Sequence, residues 1–339
     1  MINVAVDAMG GDNAPGEIVK GAVQAVNKRS DIHVLLVGQE EAVKKELASH
    51  TYPKEQITLV QASEVIETEE PPVNAIRKKK DSSIVVGMKL VKNGEADAFV
   101  SAGSSGAVLV GGQVLVGRIK GVERPPFGAL IPTKKGVSLL LDCGANVDSR
   151  PSHLVQFARM GSIYMEHVIG IKNPRVGIVN IGAEEEKGNA LVKETFPLLK
   201  QCTDINFTGS IEAREIPHGG ADVIVCEAFT GNVILKLTEG LAWNILKLLK
   251  NKFTDGGVAK MGALLLSGKM RELKSEFDYS EYGGAPILGV KGSIVKMHGS
   301  SNANAVKNTI LKAIPYVNNN VVQIIQNSVE ELEEITISE

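Results

Sequence analysis

Residues 2–37 read INVAVDAMGGDNAPGEIVKGAVQAVNKRSDIHVLLV, and this stretch decides the fold class. The run at 2–6, apolar but for Asn3, has the length of a strand and reads as a buried one. The loop DAMGGDNAP ends it, residues 16–29 carry helical periodicity, and IHVLLV at 32–37 is a second strand of the same kind. Strand, helix and strand in this order make a parallel pair, because only a long crossover returns the chain to the same edge.

The alternation continues outward. Residues 40–48 read as a helix, 57–60 as a strand, 83–93 as a helix and 98–100 as a strand, after which SAGSSGA opens an apolar helix through residue 119. The runs 127–131 and 137–141 flank PTKKG, which suits a hairpin. A helix follows over 152–169, with Ser152 as its cap after Pro151, then a strand at 175–180, a helix at 190–200 and a strand at 223–226. Residues 231–251 form a long helix containing the only tryptophan, Trp243. Then the rhythm changes: 258–277 is helical, 294–297 is a strand, and HGSSNANA leads into a last helix that Pro315 should kink or break. The expected class is therefore α/β, a mainly parallel sheet with helices on both faces. Residues 1–328 form one α/β domain, with room for two intertwined lobes and a helical protrusion near 252–278. The acidic tail 329–339 is expected to fray.

Composition narrows the function. Lys and Arg number 37 against 39 Asp and Glu, a net charge of −2, which argues against a nucleic-acid binder. Three widely spaced cysteines without a CxxC pair give neither a disulfide framework nor a zinc site. No signal peptide opens the chain and no apolar stretch is long enough to span a bilayer, so the expected location is cytoplasmic.

The chemistry lies in loops of one grammar: an apolar strand, then glycines mixed with short polar residues, then a helix. They are DAMGGD (Asp7, Gly10, Gly11, Asp12), SAGSSGA (Ser101, Gly103, Ser104, Ser105, Gly106), LDCGAN (Asn146), NIGAEEEKGN (Gly182, Lys187, Gly188, Asn189), EAFTGN (Thr230, Gly231, Asn232) and HGSSNAN (His298, Gly299, Ser300). Glycine allows close backbone approach and a helix N-terminus offers free N–H groups, so these loops at the end of one sheet suit an anion, above all phosphate. Neither GxGxxG at the first helix nor GxxxxGK[ST] is present, which leaves dinucleotide and P-loop binding without their fingerprints. Lys187 is placed to meet phosphate or a developing oxyanion, or else to pair with Glu184, Glu185 or Glu186. The Asn232 amide can donate to a carbonyl or phosphate oxygen, or cap its helix. Cys143 has no evident base and reads as a buried apolar residue, and no GxSxG, HExxH or carboxylate cluster points to a serine nucleophile or a metal.

AVDAMGGD, RKKKDSS, VGRIKG, LDCGAN, EEEKGN, FTGN, YGGA and HGSS together resemble the bacterial phosphate acyltransferases of phospholipid synthesis, from residue 2 to about 326. The resemblance implies a three-layer α/β/α fold similar to isopropylmalate dehydrogenase and phosphotransacetylase, and a homodimer. It also implies conversion of acyl-[acyl carrier protein] and inorganic phosphate to acyl phosphate, which passes to a membrane glycerol-3-phosphate acyltransferase. The family's essential Lys and Asn fall on Lys187 and Asn232. Three positions depart from the family: SAGSSGA stands for SAGNTGA, Cys143 replaces an aliphatic residue, and Glu227 replaces Asp. Phosphate is already a nucleophile and a thioester is already activated, so this reaction needs no cofactor, only alignment and oxyanion stabilisation.

Two rival readings remain at this point: a nicotinamide-dependent decarboxylating dehydrogenase, which needs metal-binding aspartates and a nucleotide loop, and a non-catalytic module that binds carrier protein or membrane. Basic residues at Arg77, Lys78, Lys79 and Lys80, with Arg118, Lys120 and Arg124, are candidates for docking an acidic carrier protein. Residues 258–277 combine an apolar stripe with basic charge, the pattern of a helix lying on an anionic membrane surface; its rival is packing on the core or in the dimer.

Overall fold

The computed structural model describes residues 1–253, 262, 265–270 and 283–338, without the side chains of 331–338. Its strands form two sheets rather than one. The first has the order β10-β11-β4-β1-β2-β3, built from β1 (Ile2–Asp7), β2 (Ile32–Gly38), β3 (Ile57–Gln61), β4 (Ala98–Ser101), β10 (Ala285–Ile287) and β11 (Ser293–Lys296). The second has the order β5-β6-β9-β7-β8, from β5 (Ala129–Thr133), β6 (Gly136–Leu141), β7 (Arg175–Val179), β8 (Asn206–Ile211) and β9 (Val223–Val225). All pairings are parallel except β10 with β11 and the hairpin β5–β6. The two sheets meet where residues just before β5 bond to β10 and its end: Gly128 N–H donates to Pro286 O at 2.9 Å and Leu288 N–H to Pro126 O at 3.2 Å.

Alternate residues of each buried strand feed opposite layers, as pleating requires. Val4, Val6, Val34 and Leu36 pack under α1 (Gly16–Lys28) and α9 (Ala303–Asn318), whereas Ala5, Leu35 and Phe99 face α4 (Ser83–Lys92) and α5 (Ser105–Gly111). α1 and α9 cross so closely that a Cβ on Gly21 would stand 2.5 Å from Val306 Cβ. Around the second sheet, α6 (Pro151–Tyr164), α7 (Ala190–Gln201) and α10 (Val321–Ser338) share one core, and α8 (Ala228–Phe253) begins against the other face through Ile234. The chain thus builds part of the first sheet, all of the second, and returns to the first with β10 and β11.

Several sequence expectations need correction. The helix expected from 152 begins at Pro151, whose missing N–H costs nothing in the first turn, so Ser152 lies inside the helix and is not its cap. The helix expected from 231 begins at Ala228, because the Glu227 carboxylate accepts the Thr230 N–H at 2.8 Å and also its hydroxyl. Pro315 does not end its helix, which continues to Asn318; the break comes at Asn320, with φ +49°. Residues 330–338 continue α10. β8 and β10 add strands that the sequence reading lacks. Residues 258–277 lie outside the described residues except for 262 and 265–270; those are helical, and Leu265 and Leu266 are exposed.

Candidate active site

The glycine loops do not sit at the end of one sheet; they divide three and three. On the first sheet they follow the adjacent strands β11, β4 and β1, and on the second the adjacent strands β6, β9 and β7. A cleft of about 970 Å³ lies between the two groups. Ser105, Gly106, Lys296 and residues 297–302 line it from the first sheet, and Cys143, Gly144, Asn232, Leu235, Lys236 and Glu239 from the second. Leu109, Phe127, Ala129, Leu130 and Trp243 complete an apolar wall. C-terminal strand ends with a crevice outside them are where open α/β sheets bind ligands.

The first-sheet loops are locked together. Ser101 Oγ donates to Asp7 Oδ2 at 2.6 Å and accepts the Gly103 N–H at 3.0 Å. Asp12 N–H donates to Gly299 O at 2.8 Å, and the Asn13 amide donates to the carbonyls of Ser300 and Ser301 at 3.1 and 3.2 Å. Gly10 leaves no room for a side chain, since a Cβ would stand 2.3 Å from Asp7 Oδ2 and 2.6 Å from Gly103 N. Gly11, with φ +96°, takes the left-handed turn that brings the loop back. Burial pushes the Asp7 carboxyl above its usual range, while Ser101, Ser83 and the Met9 N–H pull the other way. Ser104 caps α5 by accepting from Ala107 N–H at 3.4 Å. His298 Nδ1 contacts the Ser300 hydroxyl at 2.8 Å and the Ser300 N–H at 3.2 Å, which ties the ring to its own loop.

On the second sheet, Asp142 organises the loop after β6. Its carboxylate accepts N–H groups from Phe127, Gly144, Ala145 and Asn146 at 2.8–3.1 Å, and the Asn146 amide at 2.7 Å. Asn146 is thereby a buried brace and does not line the cleft. α8 presses on this loop through Gly231, where a Cβ would stand 1.8 Å from Asp142 O. Asn232 follows in the second turn and lines the cleft; a position so far inside the helix cannot cap it. Burial pushes the Cys143 thiol well up, and its Sγ donates to Phe127 O at 3.0 Å, consistent with an unreactive side chain.

The loop after β7 stands apart. Lys187 pairs with Glu184 at 2.7 Å with about half of its side chain exposed, and neither it nor Gly182, Gly188 or Asn189 lines the cleft. Asn189 caps α7 through the Val192 N–H at 2.9 Å. Thr230 likewise serves the start of α8 through Glu227. The sequence reading missed Lys296, a lysine 5% exposed at the end of β11 that lines the cleft. Burial lowers its pKa to about 8, against the pull of Asp7 and Asp12. The only signal in the sequence is a lysine closing the apolar run IVKM just before a glycine loop.

Residues 2–324 match the family described as "Fatty acid synthesis protein". A phosphate acyltransferase of Alkaliphilus oremlandii is 53% identical over 98% of this chain and 98% of its own length. Phosphate acyltransferases of Desulfitobacterium hafniense and Clostridium acetobutylicum are 50% and 46% identical, over 96% and 97% of this chain and 97% and 99% of theirs. The chain belongs to the fatty acid synthesis protein family. Within that family it is an enzyme of the acyltransferase class. The fold extends beyond the family. A phosphotransacetylase of Streptococcus pyogenes matches 93% of the chain and 94% of its own length at TM-score 0.64, with 15% identity. A branched-chain phosphotransacylase of Enterococcus faecalis matches 94% and 99% at 0.57, also with 15% identity.

Proposed function

We propose that the chain forms acyl phosphate from an acyl-[acyl carrier protein] thioester and inorganic phosphate by direct attack. A phosphate oxygen bonds to the carbonyl carbon, the tetrahedral intermediate collapses, and the C–S bond breaks. The departing thiolate takes the proton that hydrogen phosphate gives up, so the products are acyl phosphate and carrier thiol. One observation carries the reading: a single cleft joins a polar end, with Lys296, His298 and Ser300, to an apolar wall of Leu109, Phe127, Leu130 and Leu235. The polar end suits phosphate and the wall suits an acyl chain. Asn232 lines the same cleft, and its proposed role is to donate to the developing oxyanion, a contact typically worth about 2.7–4 kcal/mol in the barrier. Lys187 enters the reading through the family resemblance; its ammonium pairs with the exposed Glu184 carboxylate, a weak tether that a phosphate can displace. Carrier-thiol release that requires phosphate is the expected result with the purified protein. Phosphate-independent release, or none, would reject the reaction.

Acyl-carrier protein is the proposed donor and docks by charge. Arg77, Lys78, Lys80, Arg118, Lys120 and Arg124 are exposed, whereas Lys79 is drawn inward to Glu70 and the Val65 carbonyl and leaves the patch. A second copy of the chain is the proposed cover for the face of α8 where Phe229, Val233, Leu237, Leu241 and Ile245 are exposed at steps of four. Among the described residues no helix is long and apolar enough to cross a membrane. Contact with the inner face of the cell membrane, where the acyl phosphate passes to a glycerol-3-phosphate acyltransferase, is therefore proposed to be peripheral. Residues 258–277 are the proposed point of contact.

A further inference from the structure

Register places Asp7, Ser101 and Lys296 side by side at the C-terminal ends of β1, β4 and β11. Ser101 pairs with Lys296, and Val6 with Val100 one residue earlier. The Ser101 hydroxyl closes the row on one side by donating to Asp7. The Lys296 ammonium on the other side is bonded to the carbonyl of Met297, and no carboxylate among the described residues lies within ion-pair distance of it. It is nearly fully buried and yet borders the cleft. Sheet packing alone would favour an apolar side chain here, as β11 supplies at Ile294 and Val295. A buried cation with unused donors either gives up its proton more readily or takes an anion as its partner. The neighbouring carboxylate Asp7 attracts the ammonium through space without forming an ion pair with it, while its oxygens accept from Ser101 and the Met9 N–H.

We propose that Lys296 is a phosphate-binding residue of the transfer reaction, donating to the nucleophile in the cleft that His298 and Ser300 also line. This rests on the acyl-transfer reading for the identity of the anion. The charged groups that face Lys296 are Asp7 from β1, Asp12 from the loop after β1 and Lys236 from α8. Its ammonium discharges near pH 8, where the anion loses its partner.

The test uses inorganic phosphate as the probe, by calorimetry and by the phosphate KM. In the parent protein, phosphate affinity should fall several-fold between pH 7 and pH 9. Lys296→Arg keeps its charge throughout and so shows only the titration of phosphate itself, so the parent's affinity relative to Lys296→Arg should fall several-fold over this range. Lys296→Met should raise the phosphate KM at least ten-fold at pH 7 while leaving the acyl-donor KM unchanged. A purely structural lysine would lower stability without separating the two KM values. A parent-to-Lys296→Arg affinity ratio that does not change with pH, or an unchanged phosphate KM in Lys296→Met, would overturn the assignment. If Lys296→Met does not fold, the parent pH profile and Lys296→Arg still decide. A parent that makes acyl phosphate while Lys296→Met keeps its phosphate KM refutes only Lys296; a parent that binds phosphate at Lys296 but makes no acyl phosphate refutes only the transfer reaction.

Discussion

Replacing Gly231 by Ala puts a methyl group where none fits. The added Cβ would stand 1.8 Å from Asp142 O and 3.1 Å from Cys143 Cα, whereas real Cβ atoms keep at least 3.0 Å from such neighbours. Relief requires the start of α8 and the loop after β6 to separate by more than an ångström. The loop cannot yield cheaply, since Asp142 N–H donates to Cys226 O at 2.8 Å and its carboxylate holds the backbone N–H groups of residues 144–146. The helix therefore moves, and Asn232 moves with it. A displacement of about 1 Å at a reacting centre costs about 100-fold in rate, and overpacking costs about 1–3 kcal/mol in stability. Gly231→Ala should thus lower kcat about 100-fold and Tm by a few degrees, with a nearly unchanged phosphate KM because Lys296 sits on the other sheet. Gly240→Ala in the same helix meets nothing within 4 Å and should raise stability, by up to about 1 kcal/mol, through helix propensity alone. Steady-state kinetics and thermal melts of both variants read the difference. A Gly231→Ala protein with parental kcat and Tm would refute the argument that this close approach positions Asn232.

Asn232→Ala and Lys187→Ala should each lower turnover by about two to three orders of magnitude with the fold intact; an unchanged rate for Lys187→Ala would assign that residue to its pair with Glu184. The carrier-protein KM should rise steeply between 0.1 and 1 M salt and on charge reversal at Lys78 and Arg124, and a KM indifferent to both would remove the docking patch. Stability should depend on pH through Lys296, whose folded pKa is about 8 against an ordinary 10.5. The unfolded chain binds more protons between those values, so this lysine makes stability rise with pH there, by on the order of 1 kcal/mol per unit. Buried Cys143 and Cys226 hold their protons in the same range and act oppositely, so the quantity to measure is the difference between parent and Lys296→Met, which should grow with pH. Trp243, the sole tryptophan, lines the apolar wall, and its emission should shift when an acyl-chain analogue binds; a constant spectrum would move the chain elsewhere.

The parallel strands were legible because each is a short apolar run closed by a glycine cluster, as at 2–12 and 98–106. The hairpin β5–β6 was legible for the same reason, from PTKKG between two apolar runs. β8 and β10 were not: NFTGSI interrupts its pattern with Gly209, and API is only three residues long and closed by its pairing with β11. The start of α8 was misread because Glu227, an unusual capping side chain, does the work expected of Asn232. The division of the loops between two sheets depends on which strands pair, a long-range fact that no local pattern contains. Lys296 was invisible for that reason as well. Its place in the site comes from register across β1, β4 and β11, residues almost three hundred positions apart in the chain. Lys187 shows the converse, a conspicuous motif lysine that folds onto the neighbouring Glu184 outside the cleft.

Direct attack by phosphate within the cleft is tested most plainly with oxygen-18 phosphate and an acyl-[acyl carrier protein], following the product and the protein by mass spectrometry. The expected result is acyl phosphate that keeps the full phosphate label, with no acyl group on the chain at any time. A transiently acylated chain, at Cys143 or elsewhere, or a free fatty acid formed without labelled acyl phosphate, would contradict it.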